Sequence, residues 1–114
     1  MHTLSIKQPW AGMIARGEKT IEVRTWRTDY RGPLLIVASK SPRLAGQPAG
    51  AAVCVVDVVN CRRGDMADEA AAHCEVYDDD WLWALANPRP VEPFQVTGRF
   101  GIYQFTPPQP LVFL

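Results

Sequence analysis

Three cysteines are too few, and too badly spaced, for the chemistry that cysteine usually signals. Cys54, Cys61 and Cys74 make an odd number with no CxxC pair. A disulfide scaffold is excluded as the organising principle, and the set fits no compact zinc pattern even with His73 beside Cys74. Long apolar runs are also missing. No stretch approaches the roughly 20 residues that a membrane span needs. The start, MHTLSIKQPW, lacks the long apolar segment and small-residue cleavage site of a secretory signal, so a cytoplasmic location is expected. Glycine-rich phosphate loops, HExxH and GxSxG are absent, and Gly17-Glu18-Lys19-Thr20 is too short to cradle phosphates. No metal and no cofactor is expected. Net charge is missing too, with 12 basic and 12 acidic groups.

The balance hides a segregation. Residues 1–43 carry eight Lys/Arg against three Asp/Glu, and residues 44–114 carry four against nine. A neutral total can therefore contain a local positive field. With 114 residues, 47% of them hydrophobic and 21% charged, the chain fits one globular domain, 1–114.

The pattern of the chain is mainly β with short helices (α+β). Thr3–Ile6 reads as a strand. Pro9 suits a first helical turn, and Trp10, Met13 and Ile14 form an i, i+3, i+4 stripe over a helix at Trp10–Arg16 that Gly17 ends. Thr20-Ile21-Glu22-Val23-Arg24 alternates with period two. Ile21 and Val23 are expected to point into the core, leaving Glu22 and Arg24 along a groove; the reverse orientation would bury Glu22 with Arg24, at a cost. Leu34–Ala38 and Ala51–Val59 read as buried strands, separated by an irregular excursion rich in Pro and Gly. Gly64–Cys74 reads as a small helix begun by Asp65 or Asp68. Trp81–Leu85 is expected as a buried strand or short helix, Asn87–Pro90 as a turn, Val91–Phe94 as an edge strand and Phe100–Phe105 as a further strand. Helices between successive strands are mostly lacking, so a small β-barrel with helical lids fits better than a doubly wound sheet.

Residue types that can carry chemistry gather in 4–40. Lys19 and Glu22 are the candidate catalytic pair: a lysine among cations and a carboxylate able to hold it charged or relay a proton. Lys7 offers a cation, Arg24 a planar fork for a phosphate or carboxylate, Gln8 an amide, and Trp10, Trp26 and Tyr30 rings on which a base could stack. No membrane partner is expected.

The stretch LSIKQPWAGMIARGEKTIEVRTW, followed by YRGPLLIVASK, resembles the ASCH domain, a relative of the PUA-like RNA-binding barrel. Gly17-x-Lys19-x-x-Glu22-x-Arg24 matches the family's defining pattern, and Trp81-x-Trp83-x-Leu85-x-Asn87-Pro88-Arg89 resembles the C-terminal half of one branch. The resemblance implies a twisted β-barrel with a cleft beneath the first helix, lined by that motif, and RNA or a modified nucleoside as ligand. It also implies hydrolysis as an alternative. One member is an amidohydrolase that removes the acetyl group of N4-acetylcytidine, with a lysine at the position of Lys19, a threonine at the position of Glu22 and a later glutamate. Lys19 carries over and the threonine does not. Glu69, Glu75 and Glu92 are open as the later carboxylate. Ribonuclease activity in a small bacterial member is a further theme.

Overall fold

The computed structural model describes residues 1–114, and its core follows from one apolar strand. Six strands form one sheet: β1 (His2–Ile6), β2 (Ile21–Arg24), β3 (Gly32–Ala38), β4 (Ala51–Arg63), β5 (Trp81–Gln95) and β6 (Ile102–Gln104). The order across the sheet is β2-β5-β4-β3-β1-β6, antiparallel except for β1 beside β3. β3 can be apolar throughout because both of its faces are covered. Leu34, Ile36 and Ala38 enter the main core with Leu4, Ile6, Val56 and Trp83, whereas Leu35 and Val37 join Val55, Val91 and Val96 on the other face. The sheet curls into a half-barrel, a mixed α/β fold dominated by strands.

Helix α1 (Trp10–Ala15) follows β1 and drops Ala11 and Ile14 into the main core. Its end is built for a sharp exit. Gly17 sits at φ +77°, its N–H donates to Ile14 O (3.0 Å), and the Glu18 N–H donates to Met13 O (2.9 Å). This paired closure satisfies the last carbonyls and delivers Lys19 at the mouth of β2. Gln8 locks the other end of the helix. Its Oε1 accepts from the Gly12 N–H (2.9 Å) while its Nε2 donates to Pro48 O (3.0 Å), fastening the 40–49 excursion to α1.

A short 3-10 turn (Met66–Asp68) leads into α2 (Glu69–Ala72). Asp65 opens the turn by accepting from the Ala67 N–H, and Asp68 reaches back to the Asp65 N–H. Two expectations are corrected here. Ile21 and Val23 do not reach the main core; they pack with Leu82, Ala72 and Val76 in a small cluster under α2. α2 supplies the apolar cover for this pair, so the polar side of β2 is left facing the concave side of the sheet, where Glu22 pairs across from Trp83. The Asn87–Pro90 segment is not a turn. It lies inside the 15-residue β5, with Asn87 at φ +54° where the β4–β5 register slips. β2 pairs only with Trp81–Ala84, so beyond that point one edge of β5 is free and tolerates Pro88, Pro90 and Pro93. The chain's last residues cover part of this edge: the Glu92 N–H donates to Val112 O (2.7 Å) and the Leu114 N–H to Pro90 O (3.0 Å).

Candidate functional site: a basic cleft on the half-barrel

An open cleft of about 1420 Å³ lies where the C-terminal ends of β1, β3 and β5 meet the start of β4, with β2 across from them. At its floor sits a three-part ion cluster. Lys19 Nζ donates to Ala72 O and stands 3.6 Å from Glu22 Oε1. Glu22 Oε2 accepts from Arg24 Nε at 2.9 Å. Arg24 then spans the open side of the half-barrel, donating from Nη2 to Ser5 O of β1 at 3.0 Å. The Lys19 and Glu22 side chains are only 2% and 9% exposed, whereas Arg24 is a quarter exposed. Charges this deep persist only when paired, and here one carboxylate serves two cations while the helix-end carbonyl of Ala72 accepts a further bond from Lys19, leaving one ammonium donor free.

Residues 71–74 wrap this floor. Thr20 N–H donates to Ala71 O, Trp10 Nε1 donates to His73 O (3.2 Å), and His73 Nε2 lies 2.8 Å from Glu18 O. His73 takes a left-handed conformation (φ +57°) to end α2, which turns Cys74 to the cleft wall. Burial pushes the Cys74 thiol up, with Lys19 pulling the other way and Glu22 adding to the rise.

The structure brings Lys7, Trp10, Lys19, Glu22 and Arg24 to this cleft and leaves three other candidates outside it. Gln8 is buried, with both ends of its amide spent on the α1 clamp. Trp26 packs edge-on against Trp83 and takes that ring's N–H on its own carbonyl. Tyr30 stacks on His2, and its hydroxyl donates to Pro33 O. Trp26 and Tyr30 brace the main core, and the loop that carries them lies outside the cleft. The open carboxylates also resolve: Glu69 accepts from the Val76 N–H, Glu75 from the Tyr77 hydroxyl, and neither they nor Glu92 line the cleft.

Sequence reasoning missed Lys40, Arg43 and Arg99, which line the cleft with Lys7, Lys19 and Arg24. Six cations therefore face one carboxylate, Glu22. Lys40 and Arg43 belonged to the positive half of the chain, a signal that was legible; Arg99 sits in the acidic half and gave none. The remaining six arginines lie elsewhere and all have partners. Arg16, Arg27, Arg62 and Arg89 are ion-paired, and Arg31 and Arg63 donate to backbone carbonyls. Lys7, Lys40, Arg43 and Arg99 make no ion pair within the protein.

A curled half-barrel of this topology, carrying short helices and a cleft on its concave side, is a PUA-like fold. The particular family follows from comparison with known proteins: the ASCH domain model matches residues 4–95, and the chain belongs to the ASCH family. The crystal structure of ASCH from Zymomonas mobilis superposes with a TM-score of 0.67 at 19% identity, covering 99% of this chain and 86% of that one. A single-residue variant of the same Zymomonas mobilis protein gives 0.62 at 17% identity, with 99% and 88% coverage. At these identities the likeness speaks for the fold. Activating signal cointegrator 1 of Homo sapiens, and that of Mus musculus, share 50% identity over 36 residues, 32% of this chain. That match spans 6% of the length of these curated relatives. No helix is long and apolar enough to cross a membrane.

Proposed function

We propose that the cleft binds RNA, with phosphates held by Lys7, Lys40, Arg43 and Arg99 and one base directed to the Lys19–Glu22–Arg24 floor beside Trp10. The observation that carries this reading is the division of the basic groups. Every arginine outside the cleft has a protein partner, while four of the six cations inside it have none. An unpaired cation cluster in a chain of zero net charge favours an anionic ligand, because the repulsion among its members is relieved only by a counter-charge. The size of the cleft favours a strand over a free nucleoside, since sites for one small ligand occupy about 300–1,000 Å³. Glu22 offers an acceptor for a base amino group and Lys19 a donor for a carbonyl, which suits a base edge held at the floor.

Hydrolysis of an acetylated base, or of the RNA itself, is the second reading, and the floor supports it less. Both oxygens of Glu22 are held by cations, so taking up a proton would break an ion pair. Glu22 is also the one carboxylate lining the cleft, so a two-carboxylate arrangement lacks its second member. The test measures equilibrium binding of an eight-nucleotide single-stranded RNA and of free cytidine and N4-acetylcytidine, with single-turnover hydrolysis of the last. The RNA should bind well above the nucleosides, with no turnover. Nucleoside binding equal to RNA binding would refute the strand reading. Turnover that Lys19→Ala lowers by about a hundredfold or more would establish catalysis.

A further inference from the structure

We infer that Phe100 is a base-stacking platform at the rim of the cleft, with Arg99 beside it holding the adjoining phosphate; the inference rests on the reading of the cleft as an RNA site. Phe100 is the most exposed large apolar side chain of the protein, with a relative accessibility of 104%. Of the other phenylalanines, Phe94 and Phe105 stack on each other, and Phe113, about half exposed, lies on the C-terminal segment whose backbone pairs with Val91. A phenyl ring with no neighbour, at the tip of a loop lining a cation-rich cleft, is unlike an ordinary scattered surface residue.

The loop that carries it is seated firmly at its base. Val96 is buried in the second core cluster, and its N–H donates to Gly50 O at 3.0 Å. Gly98 lies so close to β1 that a Cβ there would stand 3.0 Å from Ser5 Oγ, and that hydroxyl is itself 3.0 Å from the Tyr103 hydroxyl on β6. Ser5 is also the residue whose carbonyl holds Arg24. Loop and ion cluster are thus referenced to one residue of β1. Gly101 turns the chain at φ +67°, after which β6 begins. Between these anchors only Arg99 and Phe100 project, a guanidinium without an ion-pair partner next to a bare ring. Successive groups of a single strand, phosphate and base, present that same alternation of charge and flat apolar face. Double-stranded RNA keeps its bases stacked and would leave Phe100 unused, so the occupant is single-stranded.

The experiment compares wild type, Phe100→Ala, Phe100→Trp and Arg99→Gln for affinity toward the eight-nucleotide single-stranded RNA and toward inorganic polyphosphate, which carries the charges without bases. Phe100→Ala should weaken RNA binding by about 5- to 150-fold and leave polyphosphate binding unchanged. Phe100→Trp should keep RNA affinity, and its fluorescence should be quenched as RNA is added. Arg99→Gln should weaken both ligands and reduce the steepness of the salt dependence by about 0.7. An RNA affinity that survives Phe100→Ala, while wild type binds RNA, overturns the stacking inference and leaves the cleft reading intact. Equal loss for RNA and polyphosphate also overturns it. Wild type that binds no RNA overturns both.

Discussion

Replacing Glu22 by glutamine tests the ion cluster as a structural unit. The substitution keeps the side chain's shape but removes the charge shared by Lys19, 3.6 Å away, and Arg24, 2.9 Å away. Arg24 is a quarter exposed and can be rescued by water; Lys19, at 2%, retains only the Ala72 carbonyl. Taking one partner from a buried pair costs about 3–5 kcal/mol, and the surviving carbonyl bond together with the exposure of Arg24 places this case near the lower end. For a chain of this size, ~3 kcal/mol corresponds to a fall in Tm of roughly 10–15 °C. Lys19→Met removes the buried ammonium instead and leaves Glu22 neutralised by Arg24, so it should cost about 1–2 kcal/mol, chiefly the orphaned Ala72 carbonyl. The double variant should then be more stable than Glu22→Gln alone, because no unpaired ammonium remains. Urea unfolding of the four proteins measures all of these. Glu22→Gln within about 0.5 kcal/mol of wild type, or strict additivity in the double variant, would refute the claim that the charges are coupled.

Other outcomes follow from other parts of the chain. Gly64→Ala should destabilise by about 1–3 kcal/mol in urea unfolding, since its Cβ would stand 1.9 Å from Leu82 Cδ1. Burial pushes the Cys54 thiol up to about 12, so in the native protein at pH 8 it should resist thiol reagents until unfolding, while the half-buried Cys61 and Cys74 label. Bound RNA should protect Cys74, which lines the cleft, and leave Cys61 labelling at its free rate, as mass spectrometry of the modified peptides would reveal. Hydrogen bonds from Arg89 and then Asn87 hold the Asp57 carboxyl below its ordinary range. Its stabilising contribution is present above the unfolded carboxylate value of about 3.9 and is lost as pH falls through the lower folded value. Urea midpoints should therefore hold steady from about pH 7 to 5 and drop below about pH 4, and Asp57→Asn should flatten that acid limb.

Much of this arrangement was legible in the order of residue types. The apolar stripe of α1, its glycine stop and the run of β3 each follow from short-range rules that the tertiary structure leaves in force. The facing of β2 was harder. Alternation separates Ile21 and Val23 from Glu22 and Arg24, but it does not say which core receives the apolar pair, and α2, fifty residues later, decides that. Trp26 and Tyr30 have the composition of a stacking surface, yet they are claimed by Trp83, His2 and the Pro33 carbonyl, neighbours visible only after folding. Prolines marked Asn87–Pro90 as a turn because the pattern could not show that one edge of β5 lies free there. Arg99 and Phe100 had no local signal, as their meaning comes from the seat of Gly98 on Ser5.

On the reading proposed above, the unpaired cations of the cleft, and not positive charge in general, bind the ligand. A charge-matched comparison tests it most directly. Lys40→Gln/Arg43→Gln removes two free cations from the cleft; Arg16→Gln/Arg27→Gln removes two ion-paired ones outside it and changes net charge equally. Affinity for the single-stranded RNA is measured across salt concentration for both double variants and wild type. With four phosphate contacts, the wild-type slope of log K against log salt should be about −3. The cleft variant should lose affinity on the order of tenfold and about 1.4 of that slope, while the outer variant keeps both. Equal losses in the two variants would contradict the account, since they would mean that the strand reads overall charge and not this cleft.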